Sequence, residues 1–240
     1  MEKRNIKKNR FLKLACLFLP LLSSCTKDVE VKPIIEHTFT FNNGNENWVP
    51  FFSDYPVGKE TSYELEFTNA FLPAPLDRNI KALKISGINH SDDLLSAICH
   101  KFDNLQPNIA YSIIFNIDIA SNALIGGAGV GGDPNLSIGV GGINYLPTNI
   151  IDNSNYYRPN FISKLQSGLS NEVFQIIGNI GVSSSYPTLF KIINRNNTDS
   201  PISITTNALG EFWLMIAIDS GYEGITTLYF KSINIEIDTK

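Results

Sequence analysis

Basic residues, cysteines and histidines are scarce in this 240-residue chain, and each scarcity excludes something. Six of its 19 basic residues and only one of its 23 acidic residues fall in the first 24 positions. The 216 residues that follow carry 13 basic and 22 acidic groups, a net charge near −9. That excess of carboxylates excludes a nucleic-acid partner, whose phosphates need a basic footprint, and peripheral adhesion to anionic lipid. Of three cysteines, Cys16 and Cys25 lie in or beside the N-terminal apolar run, leaving Cys99 alone. No intramolecular disulfide is expected in the body, and Cys99, between Ile98 and His100, reads as a buried thiol. His37, His90 and His100 lack the spacing of a zinc site. GxSxG, HExxH and CxxC are absent, so the motifs of serine hydrolases, zincins and dithiol redox proteins are missing.

The N-terminus is where the basic residues gather. Lys3, Arg4, Lys7, Lys8, Arg10 and Lys13 precede an apolar run from Leu14 to Leu22, which ends in Ser23-Ser24-Cys25. A basic segment, a short apolar core and small residues at a cut site form a secretory signal. The core is too short to span a ~30 Å hydrocarbon layer, which takes roughly twenty residues. Leu22-Ser23-Ser24-Cys25 resembles the lipobox of bacterial lipoproteins, in which the cysteine thiol is the only side chain able to form the thioether to diacylglycerol. The resemblance implies a signal peptide over 1–24, lipidation of Cys25, a tether over 25–35 and a body over 36–240. Two or three acyl chains would anchor it. Thr26 follows the cysteine where Asp would retain the protein at the inner membrane, so the expected location is the outer membrane. Cys25-Thr26-Lys27-Asp28-Val29-Glu30 is similar to a surface-export signal, with Val29 in place of a second acid.

From Glu36 onwards apolar residues recur mostly with period two. Strands are predicted around Phe39–Phe41, Tyr63–Phe67, Ile80–Ile88, Ala110–Ala120, Phe212–Asp219 and Ile225–Ile237. Weaker ones are predicted at Leu136–Val140, Val173–Ile180, Thr188–Ile193 and Ile202–Thr206. Turns rich in Asn, Pro and Gly separate them. About ten short strands without a repeat predict one all-β domain, an antiparallel jelly-roll-like β-sandwich. Two stretches also fit helices: Ser91 to Lys101, with Leu94, Leu95, Ile98 and Phe102 on one face, and Phe161 to Leu169.

The order of segments resembles galactose-binding-like jelly rolls of carbohydrate-binding modules. The resemblance rests on Phe39-Thr40-Phe41-Asn42-Asn43-Gly44-Asn45-Glu46-Asn47-Trp48, on Ala82-Leu83-Lys84-Ile85-Ser86-Gly87, on Leu105 to Phe115 with Tyr111, and on Thr227 to Ile235. It covers residues 36–120 and 211–237. Lys231 and Ser232 replace the aspartates that such modules often carry near a structural calcium.

Several constellations can be read for chemistry. Gly127-Ala128-Gly129-Val130-Gly131-Gly132 matches GxGxxG, but Asp133-Pro134-Asn135 follows where a dinucleotide site needs a helix. A tightly turning loop is the expectation. Asp92, Asp93, Asp219 and Glu223, in two acidic turns, would hold a structural calcium if the turns met at one end of the sandwich; ordinary turn chemistry is the competing reading. Trp48, Tyr55, Tyr145, Tyr156 and Tyr157, beside loops rich in Asn and Asp, are the candidate stacking residues for a sugar ring. Trp213 reads as core. No catalytic residue is assigned, because the pairs Glu64/Glu66 and Glu236/Asp238 read as solvated strand faces. The sequence therefore predicts a non-catalytic, lipid-anchored binding protein of the cell envelope with a glycan ligand. A glycan-active jelly-roll enzyme and a structural or assembly lipoprotein are the alternatives.

Overall fold

The computed structural model describes residues 34–90, 93–183 and 188–240. The expected signal peptide, Cys25 and Asp92 lie outside the described residues. Every described residue belongs to the unit Lys32–Lys240, and none of them is helical.

Among the described residues, sixteen strands follow in chain order. The first six are β1 (Ile35–Thr40), β2 (Val49–Ser53), β3 (Glu66–Phe71), β4 (Lys81–Ile88), β5 (Leu94–Phe102) and β6 (Ala110–Ser121). Then come β7 (Ala123–Leu124), β8 (Ser137–Ile143), β9 (Asn149–Ile151), β10 (Tyr157–Pro159) and β11 (Phe174–Asn179). The last five are β12 (Gly181–Val182), β13 (Lys191–Asn196), β14 (Ile202–Thr205), β15 (Phe212–Ser220) and β16 (Ile225–Thr239).

They form an all-β antiparallel sandwich, as the alternation of apolar residues predicted. The seven-stranded sheet runs β13-β6-β16-β4-β3, with β14 also on β6 and β1 also on β16. Its axis is β16, which pairs with β6 along one side and with β4 and then β1 along the other. Ile225 at its start faces Ile88, and Ile237 near its end faces Ile35. The five-stranded sheet runs β11-β8-β15-β5-β2.

Between the sheets lies the main core, in which Phe115, Ile117, Phe212, Ile216 and Ile233 are fully buried. A second cluster covers the opposite face of the five-stranded sheet: Leu95, Ala97 and Cys99 from β5, Met215 and Ala217 from β15, roofed by Phe161 and Leu165. This double burial corrects the helical reading of Ser91 to Lys101. Leu94 to Cys99 are all buried because odd and even positions face different cores. A strand covered on both faces is a continuous apolar run that periodicity cannot distinguish from a buried helix. Phe161 to Leu169 likewise forms turns in the roof rather than a helix. Cys99 is buried as expected, and desolvation pushes its thiol up to about 12.

The roof sits so close that β8 has room only for glycine at positions 139 and 141. A Cβ on Gly141 would lie 2.1 Å from the carbonyl oxygen of Val173, and one on Gly139 would lie 2.5 Å from Leu165. Gly139, Gly141 and Gly142 all lie within β8. Gly141→Ala is expected to destabilise the fold by about 1–3 kcal/mol, the usual cost of overpacking. Urea denaturation would measure this, and an unchanged midpoint would show that the roof gives way freely.

Candidate functional site

Three neighbouring strands of the five-stranded sheet finish at the same end, and each carries an aspartate there. In the register, Leu95 faces Ser53 on one side and Asp219 on the other. Asp54 follows β2, Asp93 precedes β5, and Asp219 is next to last in β15. The loop that holds Asp93 is clamped by buried Asn89, whose Nδ2 donates to the Ser220 carbonyl at 2.6 Å. The Asn89 Oδ1 accepts the Asp93 N–H at 3.3 Å.

The β9–β10 hairpin adds a fourth aspartate and a cation. Asp152 closes its own turn by accepting the N–H groups of Ser154 and Tyr156 at 2.8 and 3.0 Å. Its Oδ2 accepts Arg158 Nε at 2.9 Å. The same guanidinium donates through a terminal nitrogen to Asp54 Oδ1 at 2.8 Å and lies 3.6 Å from Asp93 Oδ2. It also rests 4.9 Å from the ring centroid of Tyr156. Backbone bonds from Asp54 N–H to Tyr157 O and from Tyr157 N–H to Tyr55 O hold the hairpin against the segment after β2.

Asp219 is the floor of this cluster, 5% exposed. Its Oδ2 accepts Ser163 Oγ at 2.9 Å, and the Gln166 backbone and the Asp93 side chain also bond its carboxylate. Burial first, and then the charges of Asp219 and Asp54, push Asp93 up to about 8. Burial likewise raises Asp219, and it raises Asp54 against the lowering contact with Arg158. Asp152 moves the other way, lowered by the Tyr156 N–H and then by Arg158.

Two cavities flank the hairpin, and three segments line both of them. One, about 320 Å³, is walled by Asp54, Asp93, Ser163, Lys164, Gln166 and Asp219. The other, about 470 Å³ and more open, is lined by Pro56, Lys59, Ser62, Tyr63, His90 and Tyr156. Asp54 and Pro56, Asp93 and His90, and Pro159 and Tyr156 each place one residue in each cavity. Tyr63, Tyr55 and Tyr157 stack behind the second cavity with centroids 5.5 and 5.1 Å apart.

The aromatic candidates separate on this geometry. β2 lies between Trp48 and Tyr55 and carries them to opposite ends of the sheet. Both are buried: Trp48 is wholly enclosed against Phe39 and His100, so neither of its ring faces is open to a sugar. Tyr55 is packed between Tyr63 and Tyr157. Tyr156 lines the open cavity, Tyr157 is half-buried beside it, and Tyr145 is 45% exposed and donates to Asn160 O at 3.4 Å.

Of the acidic candidates, Asp93 and Asp219 meet. Glu223 does not join them: it is exposed, its N–H bonds Val130 O, and its Cγ lies beside Gly131. Among the described residues no group of three or more His, Cys, Asp or Glu side chains is arranged to hold a metal. The glycine-rich segment is a tight turn packed on the 221–224 loop, where a Cβ on Gly131 would lie 2.1 Å from Gly221 O. Of the acidic pairs read as solvated faces, Glu66 is paired with Lys84 across the strand. Asp54, Asp152, Arg158, Ser163 and Gln166 went unpredicted. Only Asp152-Asn153-Ser154-Asn155 carried a local signal, that of an Asx turn.

No family model matches the chain, and no curated protein matches it. Among solved structures it is similar to a carbohydrate-binding module of the β-sandwich superfamily, at 11% identity and a TM-score of 0.40. The match covers 84% of this chain and 60% of that one, so the chain spans about three-fifths of that protein's length. It is also similar to a putative sugar-binding protein of Bacteroides thetaiotaomicron, at 8% identity over 84% of this chain and 92% of that one, TM-score 0.39. A third is the family 11 carbohydrate-binding module of a Clostridium thermocellum cellulosomal cellulase, at 12% identity, 87% and 97% coverage and TM-score 0.39.

A raised carboxyl has a definite stability signature. The folded chain holds the Asp93 proton more tightly than the unfolded chain does. The stability this confers is full below the unfolded pKa of 3.8 and lost as pH rises towards about 8. Asp93→Asn removes the liability. Its melting temperature should equal that of the wild type near pH 4 and exceed it progressively up to pH 8.5, as circular dichroism would record. A gap that narrows with rising pH would contradict the raised pKa of Asp93.

Proposed function

We propose that this chain is a non-catalytic glycan-binding protein, held at the outer membrane through a lipid on Cys25, whose ligand sits at the Asp54–Asp93–Asp219 end of the sandwich. The observation that carries this reading is the pair of cavities joined across one hairpin. A sugar ring presents apolar C–H faces and a rim of hydroxyls. A tyrosine-lined hollow beside a wall of carboxylates, Ser163 and Gln166 offers both kinds of contact. Tyr156 is the stacking residue of the proposal, with Lys59, Ser62 and His90 at its rim, and Asp54 and Asp93 accept hydroxyl protons.

The geometry of the acids favours binding over cleavage. Glycosidase carboxyl groups stand about 5–5.5 Å apart in retaining enzymes and about 6.5–9.5 Å apart in inverting ones. Asp93 and Asp219 are in direct hydrogen-bond contact and leave no room for a glycosidic oxygen between them. Cys25 supports the anchor through its sequence context, and the acidic body leaves acyl chains as the means of membrane attachment.

A glycan array probed with residues 26–240 should give carbohydrate-dependent signal that Tyr156→Ala lowers by about tenfold or more, the scale of a lost stacking contact. Circular dichroism should show the fold of that variant intact. Absence of binding to any glycan would defeat the reading. Separately, metabolic labelling with a palmitate analogue should mark the wild type and leave Cys25→Ala unlabelled.

A further inference from the structure

The cavity walled by Asp54, Asp93 and Asp219 does not end at Asp219. A further cavity of about 400 Å³ begins there, and Gln166, Ser167 and Asp219 line both. Its other walls are the start of β8 at Leu136 and Ser137, the turn at Gly131 and Gly132, and Tyr222. Ile138 faces Ile218 in the register, which brings the start of β8 beside Asp219. The two cavities together therefore follow the ends of β2, β5, β15 and β8, four consecutive strands of the five-stranded sheet. Three inter-strand steps of about 4.8 Å make a groove roughly 14 Å long.

Tyr222 closes the far end of this groove, and glycines fix its ring. A Cβ on Gly129 would lie 2.2 Å from Tyr222 Cε2, and one on Gly224 would lie 2.5 Å from Cζ. A side chain at either position would displace the ring, so the glycine-rich turn and the 221–224 loop hold it in place. The Glu223 N–H donates to Val130 O at 2.8 Å and ties the two loops together. Between Tyr222 and Asp219 the walls offer hydroxyl and amide groups from Ser137, Ser167 and Gln166. This pole of the sandwich thus has a tyrosine at each extremity, Tyr156 on the β9–β10 hairpin and Tyr222 beyond β15, with hydrogen-bonding groups between them. A straight row of strand ends suits a straight ligand, longer than one sugar ring.

We propose that the glycine-clamped Tyr222 is a second stacking site, and that the ligand is an extended, unbranched oligosaccharide laid across the strand ends from Tyr156 to Tyr222. The assignment rests on the glycan reading above and adds to it the shape of the ligand and the far half of its site. It also gives the glycine-rich turn a task, which is to hold one aromatic ring where a chain reaches it.

The test is calorimetric titration with di-, tetra- and hexasaccharides of β-1,4-linked glucose, mannose, xylose and N-acetylglucosamine, all of them extended chains. In the series that binds, affinity should rise about tenfold or more from disaccharide to hexasaccharide, the scale of one added stacking contact. Tyr222→Ala should remove that rise and leave the disaccharide affinity unchanged, whereas Tyr156→Ala should weaken every length. Tyr222 is half-buried, so a second variant stands clear of the packing. Ser167 is exposed and lines both cavities, and Ser167→Trp should obstruct the passage and flatten the length dependence with an unchanged circular dichroism spectrum. Affinity independent of length, or a rise that survives Ser167→Trp, would overturn the groove and leave the glycan reading standing. Failure of all four series to bind would overturn the groove as well, and an empty glycan array beside it would overturn both.

Discussion

The covering of the five-stranded sheet on both faces is the constraint from which most of the molecule follows. The segment between β8 and β11 folds back as a roof, and Phe161 and Leu165 bury the face that would otherwise meet water. Burial on two faces removes the alternation from β5 and leaves no space for side chains at Gly139 and Gly141. It also carries Ser163 onto Asp219 and Arg158 onto Asp54. The site is thus a product of the roof: without it the strand ends would point three aspartates into open solvent, where their acidity would be ordinary.

The roof also creates an electrostatic imbalance. Three aspartates converge on one guanidinium, which is bonded to Asp54 and Asp152 and has little left for Asp93. Asp152 is lowered, because the Tyr156 N–H and Arg158 outweigh its desolvation on an exposed turn. Asp93 and Asp219 carry the imbalance, and burial raises both above the ordinary carboxylate range. A polar pair retained at such a cost to stability is a common mark of a binding surface.

The architecture was largely legible in the sequence because a sandwich writes itself as alternation. Ala110 to Ser121 and Ile225 to Thr239 each have one face buried and the other turned to water, and their periodicity showed it. Leu94 to Phe102 was misread because two cores erase that pattern, and Val49 to Ser53 was missed because Pro50 and a short span disguise a strand. The site was legible only in pieces. Asp93 and Asp219 stood out as acidic turns, yet nothing local links either to Asp54, Asp152 or Arg158. Those contacts depend on strand order and on where the roof lands, which are long-range facts. Trp48 shows the reverse error: a tryptophan beside a polar turn resembles a surface residue until the aromatic cluster around it is known.

The length of β16 has a consequence for reach. It begins beside the loops that line the two cavities and ends beside Ile35, where the chain enters the sandwich. Fifteen residues of extended strand span about 45 Å. The cavities and the entry of the described chain at Ile35 therefore stand at opposite ends of one strand, so that a change at either end reaches the other only through the length of the sheet.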